Sequence, residues 1–248
     1  MFQFFVQQGQ VRDNHAYITG GDVNHICNVL RMKADEKLRV VMEDDPNVYI
    51  CSIESFASDM VTCRVLETVP ASAELPAEIV LFQGLPKGDK MELIIQKAVE
   101  LGASRIVPVR MKNAVVKLDD KKAAGKVERW NLIAQAAAKQ AKRDVIPTVE
   151  RVMSYSEAVK YMSELDVRLL AYELSDADGM DKTRDILSEL KGGESIGIMI
   201  GPEGGFDKSE VDTAVTSGIT PITLGHRILR TETAGLMFLS WLVYVLEK

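Results

Sequence analysis

The spacing of apolar positions changes character about a third of the way along the chain. Up to residue 69 the apolar residues fall in short β-like runs, at 3–6, 37–42, 48–56 and 60–69. One segment, 23–31, has helical spacing instead, and Asp22 stands where its carboxylate can cap that helix. Residues 70–76 carry a proline at each end and small residues between, which predicts a linker. From Glu78 onward apolar strands alternate with helical segments. Strands are predicted at 79–83, 105–109, 167–172, 196–200 and 219–224. Helices are predicted at 87–101, with Met91, Ile94, Ile95, Ala98 and Leu101 on one face and Gly102 past its end, and at 121–142, 181–190 and from Thr231. Asp207 opens one more helix, with Glu210 three residues on as in a capping box. Strands alternating with helices predict a parallel sheet covered on both faces, preceded by a small β-rich domain. The expected division is 1–72 and 73–248.

A length of 248 residues, 46% hydrophobic and 27% charged, adds only that the chain is globular. The longest apolar stretch, 236–246, is too short to span a bilayer and is broken by Ser240, so no membrane partner is expected. The N-terminus shows no basic leader ahead of a long apolar run. Three cysteines, Cys27, Cys51 and Cys63, none at Cys-x-x-Cys spacing, predict reduced buried thiols and a cytoplasmic location.

Charge changes the picture more. A net charge of −6 argues against a nucleic-acid partner, but its distribution does not. Residues 110–143 hold ten Lys/Arg and three acids, a local +7 against −13 for the rest of the chain. Phosphate binding requires a basic surface rather than a basic protein. A solvated helix face is the alternative use of the same charges.

The candidate chemistry lies near the C-terminus. Ile200-Gly201-Pro202-Glu203-Gly204-Gly205-Phe206 follows one predicted strand, and Leu224-Gly225-His226-Arg227-Ile228-Leu229-Arg230-Thr231-Glu232-Thr233-Ala234 follows another. In open α/β sheets ligands bind beyond the carboxyl ends of the strands, so the two strings, with residues 171–174, can line one cleft. Their glycines let backbone approach a ligand closely, and Leu224, Ile228 and Leu229 offer apolar walls. No phosphate-binding P-loop, dinucleotide fingerprint, metal-ligand cluster or nucleophile elbow is present in the sequence.

The two strings at this spacing resemble the C-terminal motifs of the 16S ribosomal RNA uracil-N3 methyltransferases, the RsmE family of the SPOUT class. The resemblance extends to Pro86-Lys87-Gly88-Asp89-Lys90-Met91-Glu92, Gln96-Lys97, Glu100-Leu101-Gly102, Gln140, Arg143 and Pro147. His25 and Val29-Leu30-Arg31 resemble that family's small PUA-like RNA-binding domain. It implies a SPOUT-type parallel sheet with a C-terminal trefoil knot, an N-terminal PUA-like β-barrel, and a homodimer closed by the apolar last helix. It implies S-adenosyl-L-methionine as cofactor and N3 of one uridine in the decoding region of the small ribosomal subunit's RNA as target. Another RNA target for the same fold, and a non-catalytic RNA-binding assembly protein, are the alternatives.

Cofactor contacts are expected from Ala171, Tyr172, Glu173 and Leu174, from Ile200, Gly201, Pro202, Gly204 and Gly205, and from Leu224, Gly225, Ile228, Leu229, Arg230 and Ala234. RNA contacts are expected from Arg31, Lys112, Lys122, Lys126, Lys142 and Arg143. Some positions depart from the family: Lys112-Asn113 replace an Arg-Ser or Arg-Cys pair, Lys139 a glutamate, Lys142 a glycine, and Gln3 stands where a basic residue is common. Uracil N3 becomes nucleophilic once its proton leaves, so a cation near O2 or O4 favours transfer. Arg230 is the first candidate for that cation, with a salt bridge to Glu203 or Glu232 as its other possible role. Glu203 orients cofactor or substrate, or accepts hydrogen bonds from turn amides. Thr231 and Thr233 are expected to cap the last helix rather than do chemistry.

Overall fold

The computed structural model describes residues 1–172 and 179–247. Contacts divide the chain into two compact units, Met1–Glu74 with Ala138–Val145, and Leu75–Ala137 with Ile146–Lys248.

The first unit holds β1 (Phe2–Val6), β2 (Val11–Arg12), β3 (His15–Thr19), α1 (Gly21–Asn24), β4 (Lys37–Met42), β5 (Asn47–Phe56) and β6 (Met60–Pro70). Its strands form one sheet in the order β1-β4-β5-β6-β3-β2. All neighbours are antiparallel except β1 and β4, which run parallel. One face carries the core, built on Phe4, Ile18, Ile26, Leu38, Ile53 and Val61. The helix expected at 23–31 is only the short α1 followed by a π-type turn, His25–Val29. Asp22 does not cap it; its carboxylate accepts two hydrogen bonds from Lys139 Nζ at 2.7 and 2.9 Å.

Lys139 belongs to the segment that the sequence reading placed in the second domain. Buried polar contacts hold that segment in the first unit. Asp144 accepts the amides of Ser72 and Ala73 at 2.8 and 2.7 Å and pairs with Arg39, while Arg143 pairs with Glu74. Residues 72–74 of the expected linker are therefore tied to the first unit, and the division between the two units falls inside that segment, after Glu74.

The second unit holds β7 (Glu78–Gly84), α2 (Lys90–Glu100), β8 (Arg105–Arg110), α3 (Asp120–Ala141), β9 (Thr148–Val149), β10 (Met153–Ser154) and α4 (Tyr155–Met162). After these come β11 (Val167–Ala171), α5 (Gly179–Glu189), β12 (Ser195–Ile200), α6 (Lys208–Thr216), β13 (Thr220–Ile222) and α7 (Thr231–Leu246). The last residues of α3, from Ala138, count with the first unit. Strand order is β10-β8-β7-β12-β11-β13, with β9 beside β8, and every pairing is parallel. β7 and β12 are buried along almost their whole length, which is why they read as unbroken apolar runs. Gly102 ends α2 with φ 89°, its amide on Val99 O and the Ala103 amide on Ala98 O, a Schellman turn that closes the helix. The box at Asp207 and Glu210 forms as expected. A second box, Ser154 with Glu157, starts α4.

α7 packs against α2, α5 and β12. It buries one face, with Ala234, Gly235, Phe238, Leu239, Leu242 and Leu246, but not the other. Met237 and Trp241 stay half-exposed, and Tyr244 is 87% exposed.

Candidate active site

In a parallel sheet the carboxyl ends of neighbouring strands share one edge. The segments leaving β11, β12 and β13 meet there around a cavity of about 580 Å³, within the range of cofactor sites. Of the expected cofactor residues, Ala171, Tyr172, Ile200, Gly201, Pro202, Gly205, Leu224, Gly225, Ile228, Leu229, Arg230 and Ala234 line it, and so does Glu203. Glu173 and Leu174 lie outside the described residues. Gly204 is not among the lining residues. It is pressed against Asn113, whose carbonyl oxygen would stand 2.9 Å from an added Cβ, and its own carbonyl accepts from Asn113 Nδ2 at 3.2 Å.

Lys90, Phe206, Thr223, His226, Arg227 and Thr231 also line the cavity, without having been singled out as cofactor contacts. Phe206 meets Tyr172 edge-to-face at 6.5 Å and lies 3.2 Å from where a Cβ on Gly201 would stand. A side chain at Gly201 would crowd that ring. Lys90 sits inside the family-like string at residues 86–92, so a signal for it was present.

Glu203 is held from two sides. The Lys87 amide donates to its carboxylate at 3.1 and 3.3 Å, and Lys90 Nζ donates at 2.9 Å. Desolvation pushes its pKa up, but the hydrogen bonds from Lys90 and from the Glu203 and Lys87 amides, with the charge of Lys90, outweigh it and leave the carboxyl below the usual range. Lys90 is raised, first by its bond to Glu203, and it also reaches Glu232 at 3.4 Å. Glu203 is thus a fixed anion, well suited to orienting and poorly suited to taking a proton at neutral pH.

The two acids proposed as partners for Arg230 are engaged with Lys90 instead. Among the described residues Arg230 has no ion pair, and its exposed side chain borders the cavity. It occupies the N-cap position of α7 without capping it through its side chain. Thr231 is not a cap either. Its hydroxyl donates to the Gly201 carbonyl at 2.6 Å and accepts from Gln83 Nε2 at 2.8 Å.

None of the basic candidates for RNA contact is among the residues that line the cavity. Lys112 donates through its amide to Glu210 at 2.9 Å and through Nζ to Asp207 at 3.0 Å and to Ser209, while its side chain stays largely exposed. Lys122 is exposed and pairs with Asp119 at 3.2 Å, and Lys126 lies 5.9 Å over the Trp130 ring. Arg31 and Lys142 are exposed on the first unit, both at positive φ. Arg143 is the exception among them. It is 4% exposed, and its guanidinium is occupied by Glu74, so it braces the fold rather than offering charge to a phosphate.

Comparison with known proteins adds a second line. Residues 73–243 match a family model described as an RNA methyltransferase domain, and residues 18–66 one described as an RNA methyltransferase PUA domain. A ribosomal RNA small subunit methyltransferase E from Bacillus subtilis is 42% identical over 231 residues, covering 93% of this chain and 90% of the relative. The crystal structure of a ribosomal RNA small subunit methyltransferase E from Neisseria gonorrhoeae, bound to S-adenosyl methionine, superimposes with a TM-score of 0.82 at 28% identity, covering 98% of this chain and 97% of that one. A putative methyltransferase from Legionella pneumophila, also with bound cofactor, gives a TM-score of 0.83 at 28% identity with the same coverage.

Proposed function

The chain belongs to the ribosomal RNA small subunit methyltransferase E family, and on that premise we propose that it transfers a methyl group from S-adenosyl-L-methionine to N3 of one uridine in 16S ribosomal RNA, in the decoding region. The observation that carries the reading is the cavity itself. Both glycine-bearing strings line it, and an arginine with no described ion-pair partner stands at its border.

The lining fits the cofactor. Backbone groups at Gly201, Leu224 and Gly225 suit the edge of an adenine, and Tyr172, Phe206, Leu224 and Leu229 supply apolar walls. When bound, the cofactor supplies an electrophilic methyl group. The chain supplies position and charge. Arg230 would stand toward uracil O2 or O4 and stabilise the anion left when the N3 proton passes to solvent, and transfer of the methyl group to N3 leaves the cofactor as the neutral thioether. Glu203, fixed as an anion by Lys87 and Lys90, orients the loop it stands on. The exposed cations Arg31, Lys112, Lys122, Lys126 and Lys142 hold phosphates of the RNA.

Two further features rest on the same premise. A homodimer covers the side of α7 that its own chain leaves bare, at Met237, Trp241 and Tyr244. A C-terminal trefoil knot is the other, and the packing of α7 on α2 and β12 is in keeping with it.

The test is Arg230→Ala, assayed by calorimetry for S-adenosylmethionine and by methyl transfer to small-subunit RNA. Turnover falls about a hundredfold or more, the scale of losing one placed donor, while cofactor affinity stays within about threefold. A variant that loses cofactor binding and folding together identifies Arg230 as structural. Wild-type protein that binds cofactor but transfers nothing favours the non-catalytic assembly protein.

A further inference from the structure

Gln83 lies inside the buried run of β7, after Val80, Leu81 and Phe82 and before Gly84, and is itself fully buried. An apolar side chain is what that position calls for on packing grounds. Instead its Nε2 donates to Thr231 Oγ1 at 2.8 Å and to the Gly84 carbonyl at 3.0 Å, and its Oε1 has no hydrogen-bond partner. Thr231, 5% exposed, donates its single hydroxyl proton to the Gly201 carbonyl at 2.6 Å. A hydroxyl that donates there must accept from Gln83, so the direction of both bonds is fixed. The relay joins the end of β7, the first residue of the loop after β12, and the first residue of α7. Gln83 already lies opposite Ile200 in the β7–β12 ladder, so the added bonds serve α7 rather than the sheet.

We propose that Gln83 and Thr231 are positioning residues for methyl transfer, a buried relay that fixes the start of α7, and with it Arg230, against the Gly201 wall of the cavity. Arg230 is extended, at φ −66° and ψ 152°, and its carbonyl receives the amides of Thr233 and Ala234, both at 2.9 Å. Its backbone therefore moves with the turn that Thr231 anchors. The N-cap residue, Arg230, offers no side-chain cap, and the hydroxyl of the first helical residue is committed to the Gly201 carbonyl. The inference rests on the reading that the cavity carries methyl transfer with Arg230 at its border.

The experiment compares wild type, Thr231→Val, Thr231→Ser and Gln83→Leu. It measures S-adenosylmethionine affinity by calorimetry, single-turnover transfer to small-subunit RNA, and hydrogen exchange at the Thr233 and Ala234 amides. Displacement of a placed group by about 1 Å costs up to a hundredfold in rate, so Thr231→Val and Gln83→Leu should each lose roughly thirtyfold in the transfer rate. Cofactor affinity should stay within about threefold, and exchange at the two amides should rise about tenfold as local opening becomes easier. Thr231→Ser, which keeps the hydroxyl, should recover the rate to within about threefold of wild type by the same geometric argument. A folded Thr231→Val with an unaltered rate overturns the proposal, and so do equal deficits in the Ser and Val variants. If Thr231→Val and Gln83→Leu both fail to fold, the relay is structural only and the proposal falls. Wild-type protein without transfer activity defeats the parent reading instead, a result that the exchange data distinguish.

Discussion

Replacing Gly84 by alanine drives a methyl group into the wall of the cavity. The new Cβ would stand 2.7 Å from both the ring Cδ and the backbone nitrogen of Pro202, and 2.9 Å from Met111 Sδ. Carbon contacts are comfortable at about 3.5–4.0 Å, so roughly 1 Å of movement is needed. Met111 is a flexible thioether and can swing aside. Pro202 cannot, because its ring and backbone are one rigid piece between Gly201 and Glu203. Overpacking of this kind costs about 1–3 kcal/mol. For a chain of this length that corresponds to a fall of about 2–12 °C in melting temperature. The displaced segment carries part of the cavity lining, so S-adenosylmethionine affinity should fall at least about tenfold, roughly 1.4 kcal/mol. Gly125→Ala is the matched control. That glycine sits inside α3 with no atom within 4 Å of an added Cβ, and the substitution should stabilise the helix by about 0.5–1 kcal/mol. Differential scanning calorimetry and isothermal titration on both variants decide the matter. A Gly84→Ala variant that melts and binds like wild type, or a Gly125→Ala variant destabilised as much, would rule out this crowding.

Other consequences are open to equally simple measurements. Lys142 takes the left-handed position after α3, at φ 58°, with the Arg143 amide closing back on Ala138 O at 3.0 Å. Lys142→Gly removes strain of about 1–2 kcal/mol against a smaller unfolded-state loss, so the melting temperature should rise, and a fall contradicts this. Burial pushes the Cys51 and Cys63 thiols up to about 12. Brief iodoacetamide treatment near neutral pH should therefore mark Cys27, which is half-exposed, and spare the other two; peptide mapping that finds all three labelled alike would be inconsistent with it. The Ser154 hydroxyl first, then its amide and Arg151, hold Glu157 down at about 2 from 4.5. The folded value lies below the unfolded one, so the stability it contributes is present above about 4.5 and is lost as the pH falls toward 2. An NMR titration should find that midpoint, and Ser154→Ala should move it upward; an unmoved midpoint counts against the box.

Local pattern gave the elements whose cause is local. β7 and β12 are apolar on both faces, α2 has a clear stripe and a Schellman glycine, and α6 has its capping box. α4 was missed although Ser154 and Glu157 carry the same box signal; the helix is only eight residues long and offers little periodicity. What the sequence could not supply are the partners brought in from far away. Asp22 looked like a cap until Lys139, 117 residues on, claimed its carboxylate. Arg143 looked like an RNA contact until Glu74, within the apparent linker, buried its guanidinium. Thr231 looked like a cap until Gln83, 148 positions earlier, engaged its hydroxyl. Lys142 likewise owes its conformation to the turn that ends α3, which needs positive φ and which a lysine meets under strain. Within the two strings the backbone pattern was informative, and Lys90, which reaches the cavity from the start of α2, lies in a string that resembles the family but shows no cleft in its own periodicity.

The most direct test of the central claim is a map of N3-methyluridine in 16S ribosomal RNA from cells lacking this gene, and from the same cells carrying the wild-type or the Arg230→Ala chain. One uridine in the decoding region should lose its mark on deletion, regain it with the wild-type chain, and stay unmodified with Arg230→Ala. A mark that persists in the deletion strain, or that Arg230→Ala restores in full, would contradict it.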